Sequence, residues 1–127
     1  MAQQATELRQ GLLKVMGWSM APVGAMLRNK APFDAAVVQK SATRIEELAT
    51  MIPDAFQTDT HKFQVKTKAR EGIWTNMGDF SSKADNLQKA AEAMSEAAKS
   101  GDKGTTLKAA ATVGKACGAC HDNYREK

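Results

Sequence analysis

The chain has 127 residues, a length that fits one domain over residues 1–127 with a core of its own. Aromatic residues make up 6% of it, while Ala, Met, Lys and Glu abound, which favours packed helices over a β-sheet. The net charge of +4 is modest and the lysines are interspersed with acidic residues, which argues against nucleic-acid binding.

The first predicted helix covers roughly residues 5–27. Pro22 removes a hydrogen bond of the helix, but the apolar pattern continues beyond it, so we expect a kink there rather than an end. Trp18 and Met20 flank the apolar stripe, and an exposed apolar pair predicts a homodimer formed through the outward faces of the first two helices. The residues expected to be buried recur with the helical period: Leu8, Leu12, Val15, Met16, Ser19, Val23, Met26 and Leu27.

The second predicted helix begins after a turn at residues 29–32, where Asp34 is well placed to cap it, and stops at Pro53. Residues 53–73 are polar and aperiodic, which indicates a long connection. The inward-facing residues expected on this helix are Val38, Ala42, Ile45, Leu48, Ala49 and Ile52.

The third predicted helix begins between Trp74 and Asp79, and a turn at residues 100–104, with Asp102 as a possible cap, separates it from the last helix. Four amphipathic helices with one long and two short connections predict an all-α fold, an antiparallel four-helix bundle. The two stripes expected to be buried are Met77, Phe80, Ala84, Leu87, Ala91, Met94 and Ala98, and then Leu107, Ala110, Gly114, Cys117, His121 and Tyr124.

The last helix contains the sequence Cys117-Gly118-Ala119-Cys120-His121, which has the C-x-x-C-H pattern of a c-type haem attachment site. Two thiols at this spacing can each add to one vinyl group of a porphyrin, and the adjacent imidazole can offer a nitrogen to the iron. On a helix these three side chains lie on one face. The pattern predicts one covalent haem c near one end of the bundle, with His121 as the metal ligand.

Three other interpretations of the motif are open. A thioredoxin-type redox pair requires a βαβ context, and no strand-like alternation occurs here. A structural zinc ion requires four ligands, and the chain has only the two cysteines, His61 and His121 to supply them. A chance match is the third interpretation.

The location of the protein follows from the haem. Attachment of haem through thioethers belongs to the periplasm or an equivalent compartment. The longest uncharged stretch, residues 15–27, is too short to span a bilayer, and Glu7 and Arg9 before it are wrong for a signal peptide. We therefore expect a periplasmic protein with no membrane partner, whose export signal is absent from this chain.

A C-x-x-C-H motif near the C-terminus of a four-helix bundle resembles the class II cytochromes c, and in particular the cytochrome c′ family. The commoner cytochromes c have their motif near the N-terminus and a methionine ligand downstream, and no methionine follows His121. The resemblance covers essentially the whole chain, and the terminal block is its most specific part. It rests on Arg9-Gln10, Met16-Gly17-Trp18, residues 31–35 (Ala-Pro-Phe-Asp-Ala) and residues 117–125.

This resemblance implies roles for individual residues at the iron. Cys117 and Cys120 would form the thioethers and His121 would be the axial ligand. Arg125 would stand beside the proximal imidazole as a fixed positive charge, disfavouring a second charge on the ring and stabilising anionic species near the iron. Leu13 would point at the distal face of the iron.

Residues further from the iron are also implied. Arg9 and Gln10 resemble the family pair that contacts a haem propionate, which suits the guanidinium group. Lys68 aligns with another position at the haem edge. Met16, one turn beyond Leu13, is the rival residue for the distal pocket, although a methionine at helical spacing is typical of a bundle core.

Two functions are therefore open. The resemblance to cytochrome c′ implies a five-coordinate, high-spin haem that binds nitric oxide (NO) and carbon monoxide (CO) and can transfer electrons to an unidentified redox partner protein. The alternative is a six-coordinate, low-spin electron carrier of the same fold with a methionine and a histidine on the iron. We expect no enzyme, because the sequence offers no acid–base pair near the motif.

Overall fold

Five helices make up the described part of the chain, residues 2–56 and 77–124, in this computed structural model, with side chains described over residues 4–56 and 77–120. No strand occurs in these two ranges. In chain order the helices are α1 (Ala2–Leu27), α2 (Ala35–Ala49), α3 (Ile52–Ala55), α4 (Met77–Ser100) and α5 (Lys103–Tyr124).

The four long helices pack as an antiparallel bundle, as predicted. α4 lies between α2 and α5, and α1 packs against both α2 and α5. Each helix buries one stripe of small and medium-sized apolar side chains, which suits close packing of helices. The members contributed by the long helices are Leu12, Met16, Val23, Met26, Val38, Ala42, Ile45, Ala49, Phe80, Ala84, Leu87, Ala91, Met94, Ala98, Ala110 and Val113.

The core side of α1 differs from the predicted stripe. The helix continues through Pro22 to Leu27, as expected. However, Leu8, Val15 and Leu27 are exposed by 63%, 46% and 39%. A stripe that includes these three residues is wider than the face of α1 that the neighbouring helices cover, so the residues at its edges stay exposed to solvent. Met20, expected to be exposed, is instead half-buried against the core.

The link from α2 to α3 also differs from the prediction. α2 ends at Ala49, and Pro53 belongs to the first turn of α3 rather than stopping α2. Proline is tolerated in a first turn because the N–H it lacks has no partner there. Residues 57–76, which include most of the predicted connection as well as His61, Lys68 and Trp74, lie outside the described residues.

The turn between α4 and α5 is only two residues long, shorter than predicted. Gly101 has a φ of 75°, the left-handed conformation that commonly ends a helix and that glycine adopts without strain. Asp102 then caps α5, as its carboxylate accepts a hydrogen bond from the Thr105 N–H at 2.8 Å. Hydrogen bonding by Thr105 holds the pKa of Asp102 below its ordinary value. The tight turn forces α4 and α5 to lie side by side.

A capping aspartate also begins α2, which gives a direct test of the fold. The Asp34 carboxylate accepts hydrogen bonds from the N–H groups of Ala36 and Val37 at 3.0 and 3.2 Å. Asp34→Ala should lower the free energy of unfolding by about 1 kcal/mol, while Asp34→Asn should cost only a few tenths. Urea unfolding followed by helical circular dichroism checks this, and equal losses in both variants would show that the cap is unimportant.

Candidate haem-binding site

Cys117 and Cys120 lie together on the core side of the last three turns of α5. Both side chains are half-buried, pack against the apolar core and carry free thiols. They are adjacent on the helix surface because residues three or four positions apart lie on successive turns of the same face. The helical backbone continues through His121 to Tyr124, so the spacing on which the motif depends is kept.

Burial keeps both thiols in their neutral form. Desolvation raises the pKa of Cys117, and desolvation together with the charge of Cys117 raises the pKa of Cys120 to about 11. Two charged residues of α4 act on the Cys120 sulfur in opposite directions: Lys83 lowers the pKa and Asp79 raises it. The two thiols therefore lack the lowered pKa of a redox-active thiolate pair.

Small residues leave room beside these cysteines. Apart from adjoining residues and the backbone of α5 itself, a methyl group added at Gly114 or Gly118 would meet no atom within 4 Å. Gly114 lies one turn before Cys117 and two turns before His121, so open space adjoins the side of α5 that carries the motif. Gly114 was expected in the core and is instead exposed, whereas Val113 is fully buried. A flat porphyrin fits against a helix surface of this kind.

Leu13 and Met16 have different surroundings on α1. Met16 is 7% exposed and belongs to the core, whereas Leu13 is 40% exposed. At 100° per residue, Leu13 lies on the flank of α1 opposite Trp18. Trp18 is on the α2 side, where the Arg44 guanidinium of α2 lies 5.0 Å from the centre of its ring. Leu13 is therefore on the flank away from α2, towards α5.

Arg9 is the largest of the fully buried side chains in the described residues, with 2% exposure. Its Nε donates a hydrogen bond of 2.9 Å to the carbonyl oxygen of Ala55 at the end of α3. Its guanidinium carbon lies 5.0 Å from the ring centre of Phe56, and that ring packs against Phe80 of α4 at 5.0 Å. Arg9 thus joins α1 to the end of α3, and through Phe56 to α4.

Loss of the Arg9 contacts with Ala55 and Phe56 should destabilise the bundle. Arg9→Ala would leave the Ala55 carbonyl without this donor and open a cavity beside Phe56, so we expect a loss of about 2–4 kcal/mol in the free energy of unfolding. Arg9→Lys keeps the charge but not the Nε–H, and should cost less. The matched control is Lys14→Ala on the exposed side of α1, expected within about 0.5 kcal/mol of wild type. Urea unfolding in which Arg9→Ala resembles Lys14→Ala would contradict this role.

The other predicted site residues are less well defined. Gln10 is exposed, so it does not share the buried position of its neighbour Arg9. Lys68 and Arg125 lie outside the described residues, and of His121 only the helical backbone is described. The contacts predicted for these four residues at the haem therefore stay predictions.

Sequence reasoning missed two features of this site. The Asp79–Lys83 ion pair of α4 acts on Cys120, and it could have been suspected from its i, i+4 spacing on the helix opposite the motif. The hydrogen bond from Arg9 to Ala55 gives no signal in the sequence, because the two residues are 46 positions apart.

A helical bundle with two half-buried, free cysteines in a C-x-x-C-H motif and open space beside them defines a c-type cytochrome. The family model described as Cytochrome C' matches residues 4–125, and the chain belongs to the cytochrome c′ family. Its proteins are haem carriers, and this chain carries covalent haem c, for which Cys117 and Cys120 have the required spacing.

Individual relatives agree with this assignment. Cytochrome c-556 from Agrobacterium tumefaciens is 35% identical over 121 residues, which are 95% of this chain and 96% of that protein. Cytochrome c prime from Shewanella frigidimarina superposes with a TM-score of 0.91 at 34% identity, covering 100% of this chain and 98% of that one. A nitric oxide complex of a variant of cytochrome c prime from Alcaligenes xylosoxidans has a TM-score of 0.85 at 28% identity, covering 99% and 97%.

Proposed function

We propose that this c-type haem protein holds a five-coordinate, high-spin iron, with His121 as the axial ligand, and binds NO and CO. The single observation that carries the proposal is the arrangement of α1, where Met16 is buried in the core and Leu13 lies on the flank towards α5. Leucine has no lone pair and cannot become a sixth ligand. The nitric oxide complex of the Alcaligenes relative supports binding of this gas.

Leu13 also bears on which gases the site selects. Its side chain has no N–H or O–H group to stabilise a ligand that gains negative charge, as dioxygen does, whereas CO and NO need that help less.

The other roles we propose at the haem are a propionate contact for Arg9 and Gln10, a haem-edge position for Lys68, and a fixed positive charge beside His121 for Arg125. The haem supplies an iron that accepts and releases one electron, so transfer to an unidentified partner protein is part of the proposal, and enzymatic turnover is not.

Anaerobic titration of the ferrous protein with CO and with NO tests this function. We expect saturable changes in the haem absorption bands with one gas molecule per chain, because the sixth position is not taken by a protein ligand. Ferrous protein that shows no spectral change with either gas would contradict the proposal and favour the methionine–histidine electron carrier.

The periplasm is the compartment we propose, because thioether attachment of haem c occurs there or in an equivalent compartment. Among the described residues, no helix is both long enough and apolar enough to cross a membrane.

We further propose a homodimer formed through α1 and α2. Leu8, Val15 and Trp18 follow one another at about one to two turns along one flank of α1 and are exposed by 63%, 46% and 64%. Arg44 of α2 stacks on Trp18 and extends this surface to the second helix. An apolar stripe of this kind suits a second copy, since a two-fold axis brings the same stripe against itself.

A substitution at the centre of this surface should separate the two copies. Trp18→Ala loses a buried aromatic anchor of about 2 kcal/mol in each copy, and a two-fold interface contains it twice, so dimer affinity should fall roughly a thousandfold. Leu27→Ala is the matched control, since Leu27 is an exposed leucine of α1 on a different flank. Light scattering that gives a monomer mass for the wild type at high concentration would refute the dimer.

A further inference from the structure

The register of α4 against α5 places one charged pair beside the haem attachment site. The Thr106 hydroxyl donates a hydrogen bond of 3.1 Å to the Ala97 carbonyl, which fixes the alignment of the two helices. Fourteen residues back along α4 from Ala97 is Lys83, and fourteen residues forward along α5 from Thr106 is Cys120. Because fourteen residues are almost four helical turns, Lys83 and Cys120 lie on the same sides of their helices as that hydrogen-bonded pair.

The Lys83 ammonium group is held in place at this position. Its Nζ lies 3.6 Å from the Asp79 carboxylate one turn away, and its side chain is only 20% exposed, against 55% for Asp79. The two charges of this pair also act on the Cys120 sulfur. The cation is thus the more buried of the two and lies opposite the cysteine that forms a haem thioether, while the anion is more open to water.

A fixed cation near a haem favours the reduced iron, because reduction adds one negative charge to the group. A carboxylate at the same place does the reverse, and water screens the more exposed group more strongly. We propose that the Lys83 ammonium group raises the reduction potential of the haem. Asp79 holds that ammonium group in place, and the negative charge of Asp79 limits the rise in potential. This proposal rests on the covalent haem at Cys117 and Cys120 but not on the gas-binding function.

Anaerobic spectroelectrochemical titration of the holoprotein at low ionic strength tests it. Lys83→Gln should lower the ratio of reduced to oxidised haem at a fixed potential by about threefold, a shift of about 28 mV for one electron. Asp79→Asn should raise the ratio by a smaller factor. Lys83→Arg keeps the charge and should stay close to wild type, and both shifts should shrink in high salt.

Exposed residues of α4 supply matched controls. Lys89→Gln and Asp85→Asn remove the same charges from positions about 120° around the helix from Lys83 and Asp79. Each should change the ratio much less than its counterpart. Equal shifts for Lys83→Gln and Lys89→Gln would overturn the proposal, and so would a shift for Lys83→Arg as large as that for Lys83→Gln.

The haem itself is followed separately in every variant. A haem-stained band after denaturing electrophoresis and an unchanged absorption spectrum show that attachment and ligation are intact. A Lys83→Gln variant that keeps both and shows no shift in potential would refute the role of Lys83 and leave the haem assignment intact. A wild-type chain without a covalent haem band would count against the haem assignment instead.

Discussion

Replacing both Cys117 and Cys120 by alanine should abolish covalent attachment of haem. The chain has two cysteines, so no other thiol can form a thioether. Protein matured in the periplasm should give a haem-stained band after denaturing electrophoresis, and the double variant should give none. A double variant that still holds haem through denaturation would refute the assignment of the motif.

The single variants are the internal controls for this experiment. Cys117→Ala and Cys120→Ala each leave one thiol and one unreacted vinyl group, so each should keep a weaker haem band. The absorption maxima of the haem should move towards those of a porphyrin with one vinyl group. Bands of equal strength in the double and single variants would show that staining reports trapped rather than bonded haem.

The second large effect is expected from Leu13→Ala. If Leu13 crowds the distal side, it has to move before a gas can bind, and removing it should both speed and tighten CO binding. Relief of about 1.4 kcal/mol of steric strain corresponds to a tenfold gain in affinity, and we expect at least that. Flash photolysis and equilibrium titration measure the two quantities. A Leu13→Ala variant that binds CO no better than wild type would contradict the proposed lid.

Neighbouring residues on α1 provide the controls for this prediction. Leu12 is 9% exposed and belongs to the core, so Leu12→Ala should lower the free energy of unfolding by about 2–5 kcal/mol while leaving CO affinity much less changed. Met16→Leu removes the rival sulfur. It should leave the ferric spectrum unchanged, because that methionine is a core residue.

Several parts of the fold and site could be predicted because their signals are local. The C-x-x-C-H motif depends on spacing within five residues, and the cap at Asp34 depends on spacing within three. The α4 stripe was predicted correctly except at Met77, which is only half-buried. Its apolar residues repeat with the helical period and face the core between α2 and α5.

Other parts depend on where the neighbouring helices end, which periodicity does not reveal. Leu8 and Val15 have the same spacing as core residues, but they lie on a flank of α1 that the other described helices leave exposed. The buried position of Arg9 depends on Ala55 and Phe56, which reach it only because α3 turns back over α1. A charged side chain is expected at the surface from sequence alone, so this contact could not be foreseen.

The electron paramagnetic resonance and optical spectra of the ferric protein test the central claim most directly. Our account predicts a high-spin signal from a five-coordinate iron, because Leu13 offers no ligand atom and Met16 is packed in the core. A low-spin signal together with a methionine–iron charge-transfer band would contradict it. That result would make the protein a six-coordinate electron carrier of the same fold.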